Sequence, residues 1–143
     1  MSAPDPTTDF RSRYDAEELR QYIAAVLRHY EVPDRDAALG AEVLIDADLS
    51  GIESHGIARM PWHPGYAVGF QRGIVNPNPN IKVLRETPVS AAWDGDGSMG
   101  VIVCTKAMHA CMEKAQEAGI GMVTVSNGRH FGAAGYYARI AAE

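Results

Sequence analysis

Cysteine is scarce in this chain of 143 residues: there are two, Cys104 and Cys111. Two are too few for a disulfide scaffold. On one helix their separation sets them ~10 Å apart at 1.5 Å per residue, beyond bridging distance. Their spacing matches no zinc motif either, so they read as small buried hydrophobes of a reducing compartment, the cytoplasm. Long apolar runs are missing as well. No stretch approaches the ~18 residues of a membrane span. The first nine residues, with two Pro and two Asp, lack the apolar centre of a secretion signal. Residues 1–14 read as a disordered tail. A basic surplus is also missing: 13 Lys and Arg face 18 Asp and Glu, with no basic run, which removes electrostatic support for a nucleic-acid partner. What is present, 46% apolar and 22% charged residues, is enough for one packed domain or two small lobes.

Hydrophobic periodicity divides the chain. Leu19, Tyr22, Ile23, Val26, Leu27 and Tyr30 form one apolar stripe, predicting a helix from about Asp15 to Tyr30. Glu17 and Glu18 near its start and Arg28 and His29 near its end suit the helix dipole, which gives His29 a helix-end role. Pro33 breaks the chain, and Asp34 is the expected N-cap of a second helix through Leu49, stopped near Gly51. Its expected inward face is Ala37, Ala38, Ala41, Leu44 and Ile45, with Asp48 as a polar member. A third helical stretch contains Pro61 and Pro64, and Pro64 should interrupt or kink it. The turn cluster from Gly73 to Pro79 marks a boundary between a helical lobe, residues 15–75, and a second lobe, residues 76–143. There the pattern predicts strands at Ile81–Leu84 and Val89–Trp93 and a helix over Val101–Ala118 closed by Gly119. A buried strand at Ile120–Val125, a glycine-rich loop at Ser126–Gly132 and a helix over Ala133–Ala142 follow. An uncapped last helix and a small sheet with open edges read as the front part of a longer protein.

Three constellations can carry chemistry. Gly95-Asp96-Gly97-Ser98-Met99-Gly100 spells G-x-G-x-x-G between a strand and a helix. Asp94 and Asp96 would bring negative charge to a pyrophosphate, and no acid follows about twenty residues later to hold a ribose. A tight Asp-Gly turn capped by Ser98 is the preferred reading. The second is Ser54-His55-Gly56 with Arg59. On a helix His55 and Arg59 would lie side by side, an imidazole that exchanges protons near neutral pH beside a guanidinium that grips carboxylates. Its alternative is a polar helix start with a surface arginine. The third is His130 in the loop Ser126–Gly135, at the C-terminal edge of a strand, where α/β sites are commonly built. Its alternative is a structural loop histidine. His109 reads as surface or interface. A metal site from His55, His63 and His130 lacks both a known spacing and a carboxylate, so no metal is expected.

Ser54-His55-Gly56 followed by Arg59, together with Ser126-Asn127-x-x-His130-Phe131-Gly132-Ala133-Ala134-Gly135-Tyr136-Tyr137, resembles the malate/L-lactate dehydrogenase family. These are NAD(P)-dependent oxidoreductases that include malate, sulfolactate and ureidoglycolate dehydrogenases, 2,3-diketogulonate reductase and cyclic imine carboxylate reductases. Trp93-Asp94-Gly95-Asp96 and Ala118-Gly119-Ile120-Gly121 look similar too, so the likeness runs from about residue 15 to the end. The resemblance implies an α+β fold: an N-terminal helical lobe, then the start of a non-Rossmann α/β cofactor lobe, incomplete at the C-terminus. It implies a substrate site between lobes, commonly in a homodimer, and NAD or NADP as cofactor, held mostly by segments beyond residue 143. Ser54, His55 and Arg59 match the group that holds the substrate, and either His55 or His130 matches the acid/base. His63 stands where the family usually has a tyrosine near the substrate, and Gly128 where serine is frequent.

The expected activity is hydride transfer between a nicotinamide and a small 2-hydroxy or 2-oxo acid. Arg59 would anchor the carboxylate, and His55 or His130 would supply the proton. The alternative is an inactive or split-chain fragment that acts only by pairing with another polypeptide. A metal hydrolase is a more distant one.

Overall fold

The computed structural model describes residues 13–61 and 65–143. The expectations for residues 1–12, for His63 and for the break at Pro64 lie outside the described residues. Helix α1, Ala16–His29, starts where the Asp15 carboxylate accepts the N–H groups of Glu17 and Glu18 at 2.9 and 3.0 Å, and it ends with Arg28 and His29. Helix α2, Asp34–Leu49, begins one residue earlier than expected. Pro33 is the cap residue and makes no side-chain hydrogen bond, so Asp34 and Asp36 favour the helix through its dipole. Ser50 and the left-handed Gly51 end it.

The apolar face of α1 is centred on Ile23, Ala24 and Leu27, while Tyr22, expected inside, is 61% exposed. Ala38 is exposed too, whereas Gly40, Val43 and Ala47 join Ala37, Ala41, Leu44 and Ile45 in the interior. Helix α2 is buried around most of its circumference because it packs against α1 on one side and α4 and α5 on the other. That sandwich explains the small, apolar residues at its buried positions.

Beyond α2 come two short 3₁₀ turns, Glu53–His55 and Ile57–Arg59, then helix α3, Tyr66–Gln71. Strands β1, Lys82–Glu86, and β2, Ser90–Asp94, pair antiparallel with an irregularity between Val83 and Arg85. Helix α4, Gly100–Ala118, ends at the left-handed Gly119 and crosses over to β3, Met122–Ser126, parallel to β2. Helix α5 is Ala134–Ala142. The sheet order is β1-β2-β3.

The α+β class is as expected, and a sheet with one antiparallel and one parallel pair is not a Rossmann sheet. Strand β3 departs from expectation. It lies at the sheet edge with alternating exposure, and Ile120 and Met122, read as buried, are 64% and 58% exposed. One core joins both parts of the chain: Ile23, Leu27, Leu44 and Ile45 pack in the same cluster as Met99, Val101, Ile102, Tyr136 and Tyr137. Cys104 and Cys111 are half-buried on α4, and burial pushes the Cys104 thiol pKa up. No described helix is long and apolar enough to cross a membrane.

Candidate active site

The glycine-rich turn after β2 sets the position of the site. Asp96 and Gly97 both take positive φ, 50° and 72°, and Ser98 N–H donates to Gly95 O at 2.9 Å, the geometry of a type I′ turn. Ser98 does not cap α4. Its buried hydroxyl donates to Met99 O, and the turn is held instead by Asp94, whose Oδ1 accepts Asp96 N–H at 2.9 Å. The loop after β3 lies directly on this turn. Gly95 N–H donates to Ser126 O and Gly97 N–H to Asn127 O, both at 2.8 Å, while Arg129 N–H donates to Ser98 O at 3.0 Å. A Cβ at Gly100 would overlap the carbonyls of Arg129 and His130. The G-x-G-x-x-G glycines are thus occupied by the chain's own backbone, and the loop they hold carries His130.

His130 is fixed from two further directions. Tyr66, buried at the start of α3, donates its hydroxyl to His130 O at 2.8 Å, with His130 Nδ1 3.4 Å from the same oxygen. Gly132 N–H donates to His130 Nδ1 at 3.2 Å. A ring whose Nδ1 accepts a backbone proton carries its own proton on Nε2 when neutral. Burial lowers the His130 pKa, and the positive charge of Arg59 and then of His55 lowers it further. These effects favour the neutral ring over the imidazolium.

His55 faces this ring, with centroids 5.2 Å apart at 37°. On a regular helix His55 and Arg59 would lie side by side. The structure instead breaks the segment at Gly56, whose φ of −94° and ψ of −139° separate the two 3₁₀ turns. The pair still serves one site because the arc is tied to α2: Asp48 Oδ2 accepts Ile57 N–H at 2.8 Å. Burial raises the Asp48 pKa, the bond from Ile57 opposes this, and Glu53 adds to the rise. Ser54 Oγ lies 2.9 Å from His55 Nδ1. Arg59 is half-buried, and its Nε is enclosed with no hydrogen-bond partner among the described residues.

Arg59, Tyr66, Arg129 and His130 line one cavity of about 220 Å³ whose other walls include Val68, Ile74 and Val75. Of the expected site residues, His55, Arg59 and His130 come together, Ser54 supports His55, and His63 lies outside the described residues. His109 is exposed on α4, as expected of a surface residue. Sequence reasoning missed Tyr66, which contacts a residue 64 positions away through tertiary packing alone. It missed Arg129 in the cavity wall as well. The role of Asp48 had one signal, a lone acid on an otherwise apolar helix face.

The family model for malate/L-lactate dehydrogenase matches residues 14–143, the whole stretch that carries this site. The chain belongs to the malate/L-lactate dehydrogenase family. It is 42% identical over 125 residues to the L-sulfolactate dehydrogenase of Methanocaldococcus jannaschii, covering 87% of this chain and 36% of that protein. With the malate dehydrogenase of Pyrococcus abyssi it shares 45% over 131 residues, 92% of this chain and 35% of the other. The solved malate dehydrogenase of Pyrococcus horikoshii superimposes with a TM-score of 0.85 at 40% identity, over 90% of this chain and 36% of that one. The chain spans little more than a third of the length of these family members.

Proposed function

We propose that a protein containing this chain is an NAD(P)-dependent oxidoreductase of small 2-hydroxy and 2-oxo acids. The observation that carries the reading is the convergence of Arg59, His55 and His130: Arg59, whose Nε has no partner among the described residues, and His130 line one small cavity, and the His55 ring faces that of His130. The printed names of its relatives, malate and sulfolactate dehydrogenases, support the same substrate class. In this reading residues 15–75 supply the substrate lobe and residues 76–143 begin the cofactor lobe of a cytoplasmic homodimer.

The cavity fits the reacting end of such a cofactor, with apolar walls for a flat ring and polar groups for an acid. The Gly95–Gly100 turn does not fit a pyrophosphate, because the backbone of residues 126–130 fills it. When bound, a nicotinamide supplies or accepts the hydride at the carbon bearing the substrate oxygen. Arg59 pairs with the carboxylate, which satisfies its enclosed Nε and fixes the adjacent oxygen. His130 has its Nδ1 engaged and its proton on Nε2, so it serves as a neutral hydrogen-bond donor to the oxygen as charge develops there. His55 is the proton carrier: Ser54 holds its Nδ1, leaving Nε2 to give a proton in reduction and take one in oxidation.

In the full-length enzyme, His55→Ala and His130→Ala should each lower kcat ~100-fold or more while NADH binding by fluorescence is retained. Arg59→Ala should act chiefly by raising KM for the acid. Unchanged turnover in both histidine variants overturns the mechanism.

A further inference from the structure

Arg129 precedes His130 in the loop and lines the same cavity as Arg59. Its backbone N–H donates to Ser98 O at 3.0 Å and its Nε donates to Ile74 O at 2.7 Å. The first bond fixes the backbone and the second the side chain at Nε, and among the described residues no hydrogen bond engages either Nη group. The nearest turn acid does not use them: Asp96 Oδ2 accepts Asn76 Nδ2 at 3.1 Å and Asn80 N–H at 2.8 Å. Among the described residues Arg129 has no ion pair, although five other basic side chains, including Lys106 and Arg139, have carboxylate partners. No carboxylate is found among the described residues lining the cavity.

The two guanidinium groups sit on different elements. Arg59 ends the second 3₁₀ turn, while Arg129 is in the loop after β3. Arg59 is close enough to His130 for its charge to lower the His130 pKa. The Arg129 head lies against the Gly97 turn, where a Cβ on Gly97 would sit 3.6 Å from Nη2. Two elements thus each bring a cation to the wall of one small cavity, whose other lining residues include Val68, Ile74 and Val75. A substrate with one carboxylate satisfies one of the two cations. An acid with an anionic group at each end satisfies both, and two bidentate grips also fix which end meets His130.

We propose that Arg129 is a specificity residue that holds a second anionic group, carboxylate or sulfonate, at the far end of a 2-hydroxy or 2-oxo acid whose reacting end is held by Arg59. This rests on the function proposed above. The test compares oxaloacetate with 2-oxobutyrate, equal in carbon chain but differing in the distal charge, in the full-length enzyme with NADH and NADPH. For Arg129→Gln, the ratio of kcat/KM for oxaloacetate to that for 2-oxobutyrate should fall about 100-fold, mainly through KM. Arg129→Lys, which keeps the charge and loses the fork, should fall between. In the cofactor-free protein, succinate should raise Tm more than butyrate, and Arg129→Gln should erase that difference. An unchanged ratio, or a loss that appears as a raised KM for the nicotinamide cofactor with both acids, overturns the proposal and leaves the activity standing. Failure of the unaltered enzyme to reduce either acid overturns the function reading, and the proposal with it.

Discussion

The carboxyl group of Asp48 occupies the space that a side chain at Gly56 would need. The same carboxyl accepts Ile57 N–H, so α2 grips the arc that carries His55 and Arg59 at its midpoint. Gly56→Ala should therefore displace both site residues and reduce kcat/KM by about 100-fold, the scale of a 1 Å misplacement, with far-UV circular dichroism little changed. Asp48→Asn keeps an acceptor for Ile57 and should retain more activity than Asp48→Ala. Full activity in Gly56→Ala would show that the arc does not depend on this contact.

Tyr66→Phe removes the donor to the His130 carbonyl and leaves that acceptor without its side-chain partner. The expected loss of stability is about 1–3 kcal/mol, read from urea unfolding midpoints, together with a lower kcat. Stability and kcat both equal to those of the parent protein would count against Tyr66 as a brace of the loop.

Acid should weaken the fold through His130. Its folded pKa is held down, first by burial and then by Arg59 and His55, whereas in the unfolded chain it returns to ~6.5. The unfolded state therefore binds the proton first. The contribution to stability is complete above pH ~6.5 and is lost as pH falls through that value towards the folded pKa. Replacing Arg59 with Gln should move the His130 titration upward, followed by NMR of the imidazole carbon-bound protons. A downward move would contradict the assigned electrostatics.

Gly100→Ala should be costly although Ala is the better helix former, because the added methyl meets the carbonyls of Arg129 and His130. Overpacking of this kind costs about 1–3 kcal/mol. A Tm equal to or above that of the parent protein would show that the loop can move aside.

Local chemistry made much of the fold readable. Glu17, Glu18, Arg28 and His29 marked the ends of α1, and Gly119 marked the end of α4, because caps and dipoles act within one turn. The strands were found but shifted by one to two residues, since register is settled by the pairing of Ser90 with Met122 through Asp94 with Ser126. Tyr22 and Ile120 were misjudged because burial depends on which neighbour arrives, and periodicity does not carry that information. His55, Arg59 and His130 could be singled out by residue type and setting, and their meeting was expected only through the family resemblance, with no local signal for it. It depends on the bend at Gly56, the hold of Asp48 and the long-range bond from Tyr66.

The turn from Gly95 to Gly100 has the letters of a nucleotide loop and the surroundings of a hinge pin. Glycine spacing of this kind reports only that something passes very close to the main chain. Here the visitor is another stretch of the same polypeptide, so grafting the hexapeptide elsewhere would transfer a docking notch for a loop and no affinity for phosphate.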